Sequence, residues 1–338
     1  LPVFEEATTY PCLLQIRKDE LQQEFEAVEI EHLDFNSLQS VIEEFSFQVD
    51  QTKLNTSGWS LISKDAQQLL EKIKSKGVTL KEYVDGKIHY GIKTGLNKAF
   101  VIDEEKRNEI VEKDGNSKQV IYPVLKGKNV KRYKPLNSNK YLIYLERDLD
   151  LDDYRAVKNY LEKYRERLEP KPKDWQGDSW PGRSSGNYKW FETQSAFSNY
   201  KEWLSPKIIY PDLSNKCEFT IDNEGEYLGL NTTYMIASSE YSLLAILNSK
   251  LMEYYYSNIS SSYRGGYMRF FTQYVETMPI INPDKHLKTK IENLIEQILT
   301  AKEENPEADT SELEVAIDWL VYELYGLSEE EVSVIEEK

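Results

Sequence analysis

Two apolar runs, VIYPVL at 120–125 and YLIYL at 141–145, bracket a stretch that carries charge of one sign only. From Lys118 to Lys140 there are seven Lys or Arg residues and no Asp or Glu. Apolar runs of this length read as strands entering a core, so the cations between them, Lys126, Lys128, Lys131 and Arg132, are expected on a connecting loop or at strand ends. There they stay accessible. A solvated basic face and a surface that meets phosphate both fit such a run. Charge distribution favours the second: residues 1–50 contribute −10 and residues 303–338 contribute −12 to a formal −16, leaving +6 for residues 51–302. The acidity sits at the two ends, and a basic middle remains.

With 338 residues, 40% of them apolar and 30% charged, the chain can bury a sizeable core in two or three units. No run of 18 apolar residues occurs and no charged-then-apolar leader opens the chain, so neither a membrane span nor a signal peptide is expected. Cys12 and Cys217 have no CxxC partner, which argues against cysteine metal binding and fits the cytoplasm. The chain opens at Leu1 on PVFEEATTYPCLLQIRK, which reads as the interior of a domain, so a fragment is expected.

Residues 10–18 and 24–35 read as strands, and a helix starts after Ser63, with Leu69, Leu70 and Ile73 on one face and Gly77 beyond its end. Residues 88–102 suggest two short strands around a Thr-Gly-Leu-Asn turn, which places Lys93 and Thr94 where backbone can approach a phosphate. A helix opens at Asp150 or Asp152 and runs through Tyr154, Val157, Leu161, Tyr164 and Leu168 to Pro170. Residues 170–203 form a long Trp-, Gly- and Ser-rich loop whose aromatics argue for order. Strands follow at 207–213 and 227–237, then an apolar helix capped by Ser239. Helices at 285–304 and 311–325 close the chain, with Ser311–Glu314 and Ser328–Glu331 as capping boxes.

No catalytic centre is visible. GDSWPGRS at 177–184 has the glycine spacing of a phosphate loop, but Arg183 stands where Lys is required. The histidines, His32, His89 and His286, are far apart in sequence, and the paired carboxylates fall in loops and helix first turns. The positive signal is cationic and aromatic: Lys126, Lys128, Lys131, Arg132, Arg183, Lys189, Arg264 and Arg269 lie beside glycines and aromatics. Such residues contact phosphates, and Arg also reads guanine. In SSSYRGGYMRFF the glycines allow close backbone approach beside Arg264, with Tyr267 and Arg269 following. Arg264 ranks ahead of Arg183 as a base reader. A competing reading is a carboxylate-based hydrolase with an aromatic cleft: a glycosidase has the Trp-rich loop and generic acids behind it, and a nuclease has Pro211-Asp212 and Pro283-Asp284, although the first Glu-x-Lys after either is Glu336-Glu337-Lys338.

The ordered blocks GIKTGLNKAFVID, VIYPVLKGKNVKRY, KIIYPDLS, LGLNTTYMI, LLAILNSKLMEYYY, YRGGYMRFFTQYVETMPI and EVAIDWLVYELYGLSEEEV resemble the TaqI-like C-terminal specificity region. That region ends adenine-specific DNA methyltransferases and type IIG restriction-modification enzymes, and the resemblance covers about residues 59–335. It implies an α+β, mixed-sheet target-recognition domain at 59–284 with flanking helices. Residues 1–58 would be the tail of an upstream methyltransferase domain, and 285–338 an acidic helical appendage. It further implies double-stranded DNA as partner, the upstream domain as a second partner, and no catalysis in this fragment. S-adenosylmethionine and the Asn-Pro-Pro-aromatic motif belong upstream, so no cofactor and no metal are expected here. The parent enzyme would methylate adenine and in some members also cleave. The loop at 170–203 and the segment at 260–271 are the groove-facing parts by this analogy.

Overall fold

The computed structural model describes residues 12–18, 22–30, 34–54, 59, 61–197, 200–260, 262–263 and 266–337. Its centre is a four-stranded antiparallel sheet in the order Thr220–Asp222, Lys207–Pro211, Thr233–Ile236, Ile88–Tyr90. Successive strand residues face opposite sides, and here both sides are covered. Ile208, Tyr210, Tyr234 and Ile236 enter one core, while Ile209 and Met235 enter another. That is why these strands read as unbroken apolar runs instead of alternating ones.

The first core is filled by helices Tyr241–Asn248 and Lys250–Ile259, by Lys64–Lys76, and by Lys285–Glu304, Ser311–Tyr325 and Glu329–Glu336. The second core lies against a mixed sheet ordered Leu228–Gly229, Ile121–Leu125, Lys140–Ile143, Val101–Asp103, its first pair parallel and the others antiparallel. Helix Arg155–Glu162 adds Val157 and Leu161 to it, and the end of the long loop adds Phe197 and Trp203. A short antiparallel sheet, Ser262–Tyr263, Tyr267–Arg269, Leu213–Ser214, continues from the end of the central strand. The fold is α+β with mixed sheets and C-terminal helices, as expected. Among the described residues no helix is long and apolar enough to cross a membrane.

Local signals explain most element ends. The Ser63 hydroxyl accepts from the Ala66 amide and Gly77 ends the helix; Ser328 and Glu331 form a reciprocal capping box. Other expectations fail for identifiable reasons. Residues 12–18 form no strand, and Leu13 is 92% exposed, because no described strand pairs with them. The strand expected over 24–35 ends at Ala27, where its partner Phe47–Asp50 ends. The strands of 88–102 join different sheets, since Thr94 and Asn97 organise a helical turn, Asn97–Phe100, that drops Phe100 into the core. Ser239 caps nothing; Ser249 instead caps the following helix through the Met252 amide. Thr310 precedes the helix Ser311–Tyr325, and its hydroxyl donates to Glu314, so no Ser311 box forms.

The acidic C-terminal helices are fastened to the body by Lys72–Glu331, Lys250–Glu336, Arg132–Glu314 and Lys134–Glu307 ion pairs. Beneath them Asp318 is buried, its Oδ1 accepting the Lys250 amide at 2.9 Å at the start of a helix. Burial pushes its carboxyl up to about 6 despite that bond and the nearby cations. The folded state thus holds the proton more tightly than the unfolded chain, whose Asp titrates near 3.9. Stability should fall as pH rises between these values and stay flat above, a loss of about 2–3 kcal/mol from this group. Asp318→Asn keeps the acceptor oxygen and should be the more stable protein at pH 8, with the gap narrowing at pH 5 in urea titrations. A variant less stable than the parent at pH 8 contradicts this.

Candidate nucleic-acid interface

The long loop is ordered around one side chain. Arg183 is 4% exposed, and its guanidinium donates to the carbonyls of Leu168, Thr94, Glu192, Lys189 and Trp190 at 2.7–3.2 Å. Five N–H donors meet five acceptors, over the rings of Phe100 and Tyr188. Burial lowers its pKa to about 10, which still leaves it charged at neutral pH. Arg183 is therefore not available to a groove, contrary to the expectation that placed it among the accessible cations beside glycines and aromatics. Thr94 is equally interior: its carbonyl receives Arg183 and its hydroxyl is engaged with Asn97 and the Leu96 amide. Lys93 and Lys189 stay exposed on either side of this hub, Lys93 joined through its backbone to Ser195 and Lys189 lying over Phe191.

The basic stretch divides in two. Lys131 places its ammonium 2.6 Å from Glu218, a carboxylate that is otherwise buried. Arg132 donates to the Asn248 carbonyl and pairs with Glu314 at 2.8 Å. Arg132 is thereby a scaffold contact where a phosphate contact was expected, whereas Lys131 joins Glu218 with its side chain still 51% exposed. Lys126 and Lys128 are different. Lys126 precedes a three-residue helical turn, Gly127–Asn129, and Lys128 lies within it; both are exposed and have no ion-pair partner among the described residues.

That turn lies against the end of the central strand. The Gly127 amide donates to the Thr232 hydroxyl at 3.0 Å, and a Cβ on Gly127 would stand 2.6 Å from the Thr232 carbonyl oxygen. Only glycine fits this approach. The Thr232 carbonyl also receives the Asp212 amide, and the Asp212 carbonyl receives the Phe270 amide. Arg269 pairs with Asp212, Nη1 to Oδ2 at 3.0 Å, and lies over the ring of Phe271. Burial raises the Asp212 carboxyl while Arg269 pulls it down. Around this seam Tyr90, Leu213, Tyr267 and Phe271 are exposed. Cations, a carboxylate and aromatic faces thus share one seam built on strand ends. Arg264 lies outside the described residues.

Residues 122–280 match the family described as the TaqI-like C-terminal specificity domain. That match spans a little under half of the chain. It is similar to the type II methyltransferase M.BstVI of Geobacillus stearothermophilus, with 22% identity covering 82% of this chain and 46% of the relative. It is also similar to M.BanIII of Aneurinibacillus aneurinilyticus, with 24% identity covering 65% and 38%. The chain spans less than half the length of these relatives. Its fold is similar to that of the type IIL restriction-modification enzyme MmeI, solved in complex with DNA: TM-score 0.52, 20% identity, 73% of this chain and 34% of that one.

Within the matched stretch, Phe271 falls in the segment 260–271, whereas no local signal marks Asp212 and Leu213 as seam residues. Asp212 had stood out only as the acid of a Pro-Asp pair in the hydrolase reading, and its ion pair with Arg269 gives it another task. Arg183 gives the sharpest test of the hub. Arg183→Met keeps the apolar stem and removes every donor; the Thr94 and Lys189 carbonyls keep the Gln194 and Glu192 amides, while those of Leu168, Glu192 and Trp190 lose the guanidinium. It should lower unfolding free energy by about 3 kcal/mol or more in urea titrations. Lys93→Ala and Lys189→Ala, on the exposed rim, should shift it by about 0.5 kcal/mol or less.

Proposed function

We propose that this chain recognises a specific double-stranded DNA sequence, as the specificity part of an adenine-specific DNA methyltransferase of the restriction-modification type, type IIG included. The observation that carries the reading is the position of the seam. Lys126, Lys128, Asp212, Tyr267, Arg269 and Phe271 all fall inside the stretch matched by the specificity domain. Lys126 and Lys128 meet phosphates, because exposed ammonium groups on a rigid turn bind the backbone without regard to sequence. Arg269 and Tyr267, on the adjoining strand, face the bases. Lys93 and Lys189 extend the phosphate contact along the rim of the long loop, while Arg132 and Arg183 support the scaffold.

In this division of labour S-adenosylmethionine and the methyl-transfer chemistry belong to an upstream domain, the second partner of this chain. The exposed Leu13, Leu14 and Ile16 then meet that domain, which would remove an apolar stretch from water.

Selection from a pool of randomised duplexes tests the reading, and one enriched site is the expected result. Lys126→Ala and Lys128→Ala should each weaken the enriched and a scrambled duplex alike, and each should reduce the slope of log K against log salt by about one. No enriched sequence, or unchanged salt slopes in both variants, would overturn the proposal.

A further inference from the structure

Asp212 and Arg269 are groups of opposite hydrogen-bonding sense held 3.0 Å apart, with side chains 21% and 30% exposed. Neither is on a free loop. The Asp212 amide and carbonyl are both bonded, to Thr232 and Phe270, and the Arg269 carbonyl accepts from the Tyr256 hydroxyl at 2.6 Å. Arg269 sits opposite Leu213 in the short sheet. The side chains are therefore presented by a fixed backbone, as a group that reads bases must be. Oδ1 of Asp212 lies 3.6 Å from where a Gly127 Cβ would be, so the pair and the Lys126–Lys128 turn form one rigid unit. A turn that takes the phosphates would set the register of the pair in the groove.

We propose that Arg269 and Asp212 together read one G·C base pair from the major groove, Arg269 donating to guanine N7 and O6 and Asp212 accepting from the cytosine N4 amino group. This rests on the duplex-recognition reading. The matching is chemical. In the major groove a G·C pair shows two adjacent acceptors beside one donor, whereas an A·T pair shows acceptor, donor, acceptor. An Arg fork meets two adjacent acceptors, and a carboxylate beside it meets the donor. A purely structural role explains less. The strands are already joined by backbone bonds, and a partly exposed ion pair adds little to stability. Exposed Leu213 and Phe271 flank the pair with apolar surface that excludes water from such contacts.

The experiment is the same duplex selection carried out with variants, read position by position. The parent protein should enrich a site with G·C at one position, and Arg269→Ala should lose that preference by roughly ten- to a hundredfold while keeping the others. Asp212→Asn should relax the same position. The exchange Asp212→Arg with Arg269→Asp should turn it toward C·G. Thermal melting checks each variant's fold, and Arg269→Gln replaces the Ala variant if that one melts early. Equal losses at every position would make Arg269 a phosphate contact, and an unchanged profile would make the pair a staple between strands; either overturns the proposal. So does relaxation at an A·T position. If the parent protein enriches no sequence at all, the recognition reading itself has failed, which the other outcomes leave standing.

Discussion

Burial of both faces of the strand Lys207–Pro211 is the constraint to which the remaining architecture answers. Its five residues are all buried, Lys207 included. An ammonium withdrawn from water needs a partner, and Asp222, opposite it in the sheet register, supplies one at 2.5 Å while also accepting the amides of Glu226 and Tyr227. Burial lowers the Lys207 pKa and Asp222 opposes this. Removing one partner would strand a charge between two cores, a cost of about 3–5 kcal/mol. With register fixed at one end, the other end of the strand emerges at Asp212 in a defined place. The seam inherits its geometry from the interior.

Charge follows the same logic of place. The C-terminal acids Glu307, Glu314, Glu331 and Glu336 face Lys134, Arg132, Lys72 and Lys250, so part of the apparent conflict between acidic ends and basic middle is resolved inside the molecule. Because Ile317, Val321, Tyr322 and Tyr325 of the acidic helices lie in the first core, those ion pairs sit on a surface already joined by apolar burial. Exposed pairs of this kind contribute little each. Their effect is to occupy acidic side chains with cations of the body.

Much of this was legible beforehand. The helices after Ser63 and at 285–304 and 311–325, the strands bracketing the basic run, and the order of the loop at 170–203 follow from periodicity, caps and aromatic density, which are local, whereas helices Leu38–Phe45 and Glu104–Lys113 were not expected. The site was legible only in part. Lys126 and Lys131 look alike in sequence, yet one faces solvent and the other neutralises Glu218, 87 residues away. Arg183 looked like a loop-tip cation because its five acceptors are backbone carbonyls, which carry no sequence signal. Asp212 and Arg269 meet across 57 residues. Pairings at such separations are set by sheet order, and sheet order is not a local property.

The same contrast bears on how such a domain can change what it recognises. Arg183 and Lys207 are buried among the acceptors they serve, so substitution there costs stability. Arg269, Asp212, Tyr267 and the two lysines of the turn stand on equally fixed backbone but are partly or wholly exposed. Replacing an exposed side chain on a rigid element changes what the surface offers while leaving the core untouched, and costs about 0.5 kcal/mol or less. Under the proposed reading, specificity and stability fall to different residues. A seam built on the ends of buried strands can be rewritten one side chain at a time, provided Gly127 keeps its close approach to Thr232.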